Sequence, residues 1–294
     1  MDIQSLYKNK YPAWTVNLPE CLAGYFLLGY NRSGETEEQA GNSMKLLHTS
    51  DLHIGANRDA GGEKREGRIL TQIVKIAREE KADAVLFAGD MFESSDPAPA
   101  HKAILEEFIV SLAEQKTALL LISGERDAGA FAAPAVQFSE EQGIYIAEGF
   151  EGSLKRVFLK DEWGPVDFVC MPFVKNATVS MEQRLAGTPM PLDLMSRHVL
   201  LTHCIVTGED GGLPELTESE NIERLEKISA AWLGAFDYVA LGHTDKRQRI
   251  GQREVWYPGA PISYFGEEAD NKAGSVNLVR LGRKGDISVE ALRI

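Results

Sequence analysis

Basic residues are in short supply in this 294-residue chain. Thirty-one lysines and arginines stand against 44 acidic residues, a net charge of −13. Such a chain does not attract a phosphate backbone through its overall field, so nucleic-acid binding needs a local basic patch, a metal or a partner. Cysteine is also scarce. Cys21, Cys170 and Cys204 are scattered and odd in number; they show no metal-type pairing and suggest a reducing compartment. Long apolar runs are missing. The best candidate, Ala23 to Tyr30, falls far short of the ~20 residues needed to cross a bilayer and contains Gly24 and Gly29. The N-terminus lacks a basic region followed by an apolar core, so no signal peptide is read there, no membrane is implied, and a cytoplasmic location is expected. What remains is ordinary globular composition, 44% hydrophobic and 26% charged, sufficient for one large core or two smaller ones.

Residues 1–43 differ from the rest: aromatics and prolines without a sustained period, then a polar stretch from Asn31 to Ser43 that reads as a linker. They are expected to be an extension, either an upstream mis-called start or a docking arm. From Met44 apolar strands alternate with helices. Helices are expected over Glu63 to Lys81, Pro99 to Gln115, Pro134 to Gln142 and Glu218 to Ala230. The first turns Ile69, Ile73, Ile76 and Ala77 inward; the second turns Ile104, Phe108, Ile109 and Leu112 inward. Strands are expected at Met44 onward, Asp83 to Ala88, Ala118 to Ile122, Ile144 to Ala147, Val157 to Leu159, Val166 to Met171, His198 to Leu201 and Tyr238 to Leu241. A Trp163-Gly164-Pro165 turn separates the fifth and sixth of these. A run of strands closes the chain, near Glu254 to Tyr257, Val276 to Leu281 and Ile287 to Leu292. Strands alternating with helices, then strands alone, predict an α/β protein: a four-layer α/β/β/α sandwich of two mixed sheets flanked by helices.

Five of these strands end in residues of metal-ligand type: Asp51 and His53, Asp90, Glu125, His203, and His243 with Asp245. One such ending is more often a cap or a turn former. Five are hard to produce by capping alone. If the first strand keeps its period of two, Asp51 and His53 point the same way just past its C-terminal end, the edge where open α/β sheets bind ligands. Gly89, Gly124 and Gly242 adjoin three of the endings, where a close backbone approach to an ion or phosphate is useful. His48, His198 and Cys204 read as packed residues, His101 as exposed, and Asp96 as a loop acid near the site. Arg58, Lys64, Arg65 and Arg68, and separately Lys246, Arg247 and Arg249, form basic clusters that read as solvated faces or as phosphate-binding rims.

The series Asp-Leu-His, Gly-Asp, Gly-Glu-Arg-Asp, Thr-His and Gly-His-Thr-Asp resembles the calcineurin-like metallophosphoesterases in order and rough spacing. More narrowly, Asp51 to Gly55, Gly89 to Phe92, Ala240 to His243 and Tyr257 to Glu267 are similar to motifs of SbcD-type DNA repair exonucleases. The resemblance covers about Met44 to Ile294, so 44–294 is read as one metallophosphoesterase domain.

It implies two divalent ions, Mn²⁺ before Fe or Zn²⁺, held by Asp51, His53, Asp90 as the bridging carboxylate, Glu125, His203, His243 and Asp245, with Asp90, Arg126 and Asp127 as the catalytic group. The implied substrate is a phosphodiester such as DNA, and the implied partner a coiled-coil ATPase. The chain has no room for the capping region and partner-binding segment of that branch, so the expectation is a nuclease domain without them. Rival expectations are a phosphoesterase for small nucleotides or monoesters, and a catalytically degenerate subunit of a repair complex. Two departures bear on activity. The family's Gly-Asn-His-Asp is Gly124-Glu-Arg-Asp127 here, and Asp245 replaces a second histidine. Arg126 cannot serve as a general acid, because guanidinium keeps its charge at any ordinary pH; it can bind phosphate. The carboxylates at 125 and 245 favour harder ions.

Overall fold

A computed structural model describes residues 43–56, 62–131, 140–149, 154–175, 177–187, 196–216, 226–262 and 274–294. The expected extension up to residue 42 and Arg58 lie outside the described residues. The first sheet has the order β14-β13-β1-β2-β3-β4. Its parallel centre is β1 (Met44–Thr49), β2 (Ala84–Ala88), β3 (Ala118–Ile122) and β4 (Ile144–Ala147). The hairpin of β13 (Ser275–Leu281) and β14 (Ile287–Arg293) adds antiparallel to β1. The second sheet has the order β11-β12-β10-β7-β6-β5. Here β6 (Gly164–Met171), β7 (Arg197–His203), β10 (Tyr238–Gly242) and β12 (Val255–Tyr257) are parallel, with β5 (Lys155–Asp161) and β11 (Gln248–Arg249) antiparallel at the edges. β8 (Ile205–Thr207) and β9 (Lys227–Ser229) form a separate two-stranded sheet.

The central strands are buried on both faces, as their continuous apolar runs require. Leu46, Leu86, Leu120 and Ile122 of the first sheet meet Phe168, Val199, Leu201 and Ala240 of the second. On the outer face of the first sheet, α1 (Gly62–Glu80) and α2 (Pro99–Glu114) cover Leu47, Val85, Phe87, Leu119 and Leu121. On the outer face of the second, α3 (Met181–Ala186) brings Met181 and Leu185 to a core with Val169, Leu200, Val239 and Leu241. The four-layer α/β/β/α sandwich is therefore present. In α1 the innermost residues are Leu70, Ile73, Val74 and Ala77, while Ile69 and Ile76 are only partly covered. In α2 Leu105 takes the inward place expected of Ile104. Both offsets are one position along a 3.6-residue period.

The helix expected over Glu218 to Ala230 is not found where the chain is described. Lys227–Ser229 is a strand, and Ala230–Leu233 is a 3₁₀ turn. Ile228 is buried, its strand pairs with β8, and the Ser229 hydroxyl accepts a hydrogen bond from the Ala231 N–H, stopping the strand with a cap. Of the helix expected over Pro134 to Gln142, residues 132–139 lie outside the described residues and Glu140–Gln142 is a 3₁₀ turn. The expected Trp163-Gly164-Pro165 turn is shorter: Gly164 and Pro165 already belong to β6, with Gly164 supplying a left-handed φ of 102°.

One polar contact joins the two sheets through their common core. His48 of β1 is fully buried; its Nε2–H donates to the Leu241 carbonyl at 2.9 Å, and its Nδ1 accepts from the Tyr238 hydroxyl at 2.8 Å. Both ring nitrogens are satisfied only if the ring is neutral. Burial, with help from the Arg247 charge, lowers its pKa to about 3 against the opposing pull of the Leu241 carbonyl. A pKa depressed on folding gives stability that is complete above the unfolded value of 6.5 and lost as pH falls toward the folded value. This residue alone therefore removes about 2 kcal/mol of stability between pH 7.5 and pH 5. His48→Gln keeps a donor and an acceptor without taking up a proton. Urea unfolding of the two proteins across this range is expected to show a flatter pH slope for the variant; equal slopes contradict the assignment.

Candidate metal centre

The C-terminal ends of β1, β2, β3, β7 and β10 converge at one rim of the sandwich. The chain does not simply run straight out of these strands. Asp51 (φ 56°), His53 (φ 49°), Asp90 (φ 53°) and His243 (φ 114°) all adopt left-handed backbone conformations. Among the described residues only Lys81 and Lys116 are other non-glycine positions with positive φ. Such conformations cost on the order of 1–3 kcal/mol each and collect at functional sites. The expected period-two alignment of Asp51 and His53 is thus replaced by something else: β1 ends at Thr49, and both residues are turned inward by the loop. A short ladder holds that loop. The Asp51 N–H donates to the Gly89 carbonyl (3.0 Å), His53 N–H to Asp90 O (3.0 Å) and Ile54 N–H to Met91 O (2.8 Å). Glu66, fully buried in α1, accepts from the Gly55 N–H at 3.0 Å.

The result is a knot of acids and imidazoles. One ligand atom from each of Asp51, Asp90 and His203 lies within 4.8 Å of the other two. His203 Nε2 is 3.5 Å from Asp90 Oδ2, and His53 Nε2 is 3.9 Å from the same oxygen and 4.0 Å from Asp51 Oδ1. The rings of His203 and His243 meet edge to face, with centroids 5.4 Å apart. His203 Nδ1–H donates to the Ala88 carbonyl at 2.8 Å, which leaves the Nε2 lone pair aimed inward. Asp51 Oδ2 accepts from the His243 N–H at 2.9 Å, and Asp90 Oδ1 from the Arg126 N–H at 2.8 Å.

Asp51 Oδ1, His203 Nε2 and His243 Nε2 are buried without a hydrogen-bond partner. Buried polar atoms are normally satisfied, and the orphans of Asp51 and His203, clustered with Asp90, are what a cation's coordination would complete. The electrostatics agree. Burial, added to the Asp90 charge, raises the Asp51 carboxyl to about 7. Burial alone would lower the pKa of His203, but the charges of Asp90, Asp51 and Asp127 outweigh it and raise it. Burial and the charges of His203, His53 and Arg126 lower His243 to about 2, so its ring is neutral. The residues present therefore fit a divalent ion.

Five of the expected site residues, Asp51, His53, Asp90, His203 and His243, are brought together. Glu125 and Asp245 lie on the same loops, half exposed, outside the three-residue cluster of Asp51, Asp90 and His203. Arg126 is exposed and pairs with Glu93 at 3.6 Å. Asp127 spends its carboxylate on the backbone: Oδ1 accepts from the Gly124 N–H (2.7 Å), and Oδ2 from Met91 (2.8 Å) and Phe92 (3.3 Å). It ties two ligand loops together. Asp96 is a solvent-facing partner of Lys102 rather than a member of the site.

His101, expected to be exposed, is half covered and packs its ring against Gly55. Arg247 stacks on Trp256 at 4.5 Å and donates to Asn277, and Arg249 pairs with Glu254, so this cluster is largely engaged within the fold. Glu93 and Glu66 were not singled out by sequence; each sits one or more residues away from any motif position, and only the folded loops show what they touch.

The chain belongs to a class defined by this sandwich and rim: α/β proteins whose two sheets jointly present a carboxylate–imidazole cluster. It is a member of the calcineurin-like phosphoesterase family, whose sequence model matches residues 44–247. Members of that family are hydrolases that use divalent metals. The SbcD component of the nuclease SbcCD from Staphylococcus epidermidis is 25% identical over 248 residues, covering 79% of this chain and 64% of that protein; the chain thus spans less than two thirds of its relative's length. Among solved structures, a dimetal phosphatase from Danio rerio aligns with a TM-score of 0.49 at 11% identity, over 86% of this chain and 99% of that one. The protein TT1561 of Thermus thermophilus aligns with a TM-score of 0.47 at 15% identity, over 85% and 99%.

The glycines next to the ligands serve the packing of loop on loop. A Cβ on Gly124 would collide with the Asp90 carboxylate and backbone N, and one on Gly89 with the His203 ring. Gly124→Ala is accordingly expected to keep the fold, seen by circular dichroism, while displacing Asp90 and weakening Mn²⁺ binding at least about tenfold in calorimetry. Unchanged affinity in a folded variant contradicts this geometry.

Proposed function

We propose that the chain is a metal-dependent phosphodiesterase of the SbcD-like nuclease kind, acting on nucleic-acid strands. The observation that carries this reading is the cluster of Asp51, Asp90 and His203, in which Asp51 Oδ1 and His203 Nε2 are buried without a hydrogen-bond partner. In the proposed assignment Asp51, His53, Asp90, His203 and His243 would hold two divalent ions, and Glu125 and Asp245 would complete the set. Mixed carboxylate and imidazole donors suit Mn²⁺, Fe or Zn²⁺, and the added carboxylates favour Mn²⁺. Two bound ions supply an activated water and charge stabilisation for the phosphoryl oxygens.

The protein's own groups do the rest. The Ala88 carbonyl fixes the tautomer of His203. Arg126, exposed at the rim, offers a permanent positive charge to a phosphate oxygen. It cannot protonate a leaving group, so that proton comes from solvent and the rate is reduced by part of the ~10²–10⁴-fold that an acid contributes. Lys64, Arg65 and Arg68 on the first turns of α1 follow the loop of His53 closely in the chain and supply a local patch that the acidic total lacks. The name of the Staphylococcus epidermidis relative makes it one subunit of a nuclease, and a second, partnering chain belongs to the same proposal.

Hydrolysis of bis-p-nitrophenyl phosphate with Mn²⁺ tests the reading. Wild type is expected to be slow, Asp90→Ala to lose at least about a hundredfold, and Arg126→His to be faster than wild type. An Asp90→Ala rate equal to wild type sinks the assignment. Cleavage of a single-stranded oligonucleotide in preference to a cyclic nucleotide supports the nuclease branch, and the reverse preference supports a small-nucleotide phosphoesterase.

A further inference from the structure

Lys246, Arg247 and Arg249 lie just beyond the loop of His243 and Asp245, and the three cations are held differently. Lys246 is 3.4 Å from the Glu215 carboxylate, and Arg249 is 2.7 Å from that of Glu254. Arg247 makes no ion pair among the described residues. Uncharged groups hold it instead. Its Nε–H donates to Asn277 Oδ1 at 2.6 Å, and its guanidinium lies over the Trp256 ring, 4.5 Å from the centroid. Asn277 is fully buried in β13, opposite His48 of β1, and Trp256 is half-buried in β12. The backbone is held as well. A Cβ on Gly259 would meet the Arg247 nitrogen at 2.9 Å, and the Ala260 N–H donates to the Asp245 carbonyl at 3.1 Å.

These contacts use one of the three guanidinium nitrogens. Arg247 remains exposed, and no described residue accepts a hydrogen bond from its two terminal nitrogens. A solvated arginine loses rotamer freedom when it grips a ligand; this one is already fixed, and it keeps the planar two-nitrogen edge that fits a phosphate. Its position matters too. The registers Gln248↔Tyr257 and Ala240↔Trp256 put Arg247 level with Gly242, at the end of β10 from which His243 leaves. Four residues separate it from His243, at most ~14 Å of chain. It belongs to the second sheet, whereas Lys64, Arg65 and Arg68 belong to a helix on the first. In a chain of net charge −13, a fixed cation without an acidic partner beside the centre is a local exception to the overall field.

We propose that Arg247 is a strand-binding residue: its two terminal nitrogens grip a backbone phosphate of a single-stranded nucleic acid, next to the phosphodiester that lies at the metal centre. This rests on the strand-cleaving reading above and adds a contact that a substrate with one phosphate cannot make.

The test compares wild type, Arg247→Gln and Arg247→Lys with Mn²⁺ on two substrates, a single-stranded oligonucleotide of about twelve nucleotides and bis-p-nitrophenyl phosphate, between about 50 and 200 mM salt. Arg247→Gln is expected to lower the ratio of kcat/KM on the oligonucleotide to that on the small diester about tenfold at the lower salt. It is also expected to make the fall of log kcat/KM on the oligonucleotide with log salt shallower by about 0.7, the share of one phosphate contact on a single strand. Arg247→Lys keeps the charge and is expected to keep the wild-type slope. An unchanged ratio in Arg247→Gln overturns the proposal, whether both rates hold or both fall; a common fall is what loss of the Asn277 and Trp256 contacts gives if Arg247 serves the fold alone. A lysine variant with the slope of the glutamine variant overturns it as well. Wild type that hydrolyses the small diester but not the oligonucleotide overturns the strand reading, and this proposal with it. Wild type inactive on both overturns the metal-dependent reading from which the two derive.

Discussion

Everything at the rim depends on keeping the Asp90 carboxylate buried in a fixed orientation. One oxygen is held by the Arg126 N–H; the other faces the Nε2 atoms of His203 and His53. A buried carboxylate without such partners is costly, and here two more, Asp51 and Asp127, are buried with it. Burial and the Asp90 charge raise both Asp51 and Asp127 to about 7, the latter despite the backbone donors it accepts from. A fold does not gather three buried acids around a buried histidine for stability. The arrangement would become favourable if a cation supplied the missing charge, and metal binding and native-state stability would then be two sides of one equilibrium.

That constraint explains the shape of the molecule around it. Neither sheet alone can surround the centre. β1, β2 and β3 of the first sheet bring Asp51, Asp90 and the Gly124 loop, and β7 and β10 of the second bring His203 and His243. The sheets must therefore stay in register with each other, and the apolar core they share is crossed by polar contacts, among them His48 to Tyr238 and Leu241 and the buried Arg197 to the Leu281 carbonyl. His48 lies in the strand that leads to Asp51, and Leu241 lies two residues before His243. The same contact thus joins the two strands whose ends meet at the site, and the Asp51 carboxylate repeats the connection by accepting from the His243 N–H. Glycines at 89, 124 and 242 let the loops close on one another, since any Cβ would push neighbouring ligands apart.

Much of this was legible in the sequence. Apolar strands ending in Asp, His or Gly-Asp state both the sheets and the edge where the chemistry lies, because side-chain type and strand length are local properties. Strand positions such as Ala118–Ile122 and Ile144–Ala147 were readable to the residue for the same reason. What was not legible depends on long-range placement. A period-two argument cannot foresee that Asp51 and His53 reach the centre through left-handed loops. The apolar spacing around Ile228 suits a helix as well as a strand, and only pairing with Ile205–Thr207 decides it. Asp127 stands in the catalytic group that the resemblance implies; that its carboxylate accepts from three backbone donors on two different loops shows only in the fold. Glu66 and Glu93 escaped because a lone glutamate carries no pattern until its partner is known.

The unusual residues at the rim are best understood through charge balance. Compared with the family pattern, positions 125 and 245 each exchange a neutral donor for a carboxylate, while position 126 exchanges an ionisable imidazole for a permanent cation. Two negative charges gained near the centre would repel a phosphodiester. One arginine beside them would restore part of the attraction, and its guanidinium lies 3.6 Å from the Glu93 carboxylate. The same guanidinium pushes the pKa of His243 further down, with burial as the main cause, and so keeps that ring available as a neutral ligand. Arg126 thus exchanges proton transfer for charge. Under the proposed function, a site built that way would hold ions and phosphate through fixed electrostatics and leave the leaving group's proton to water.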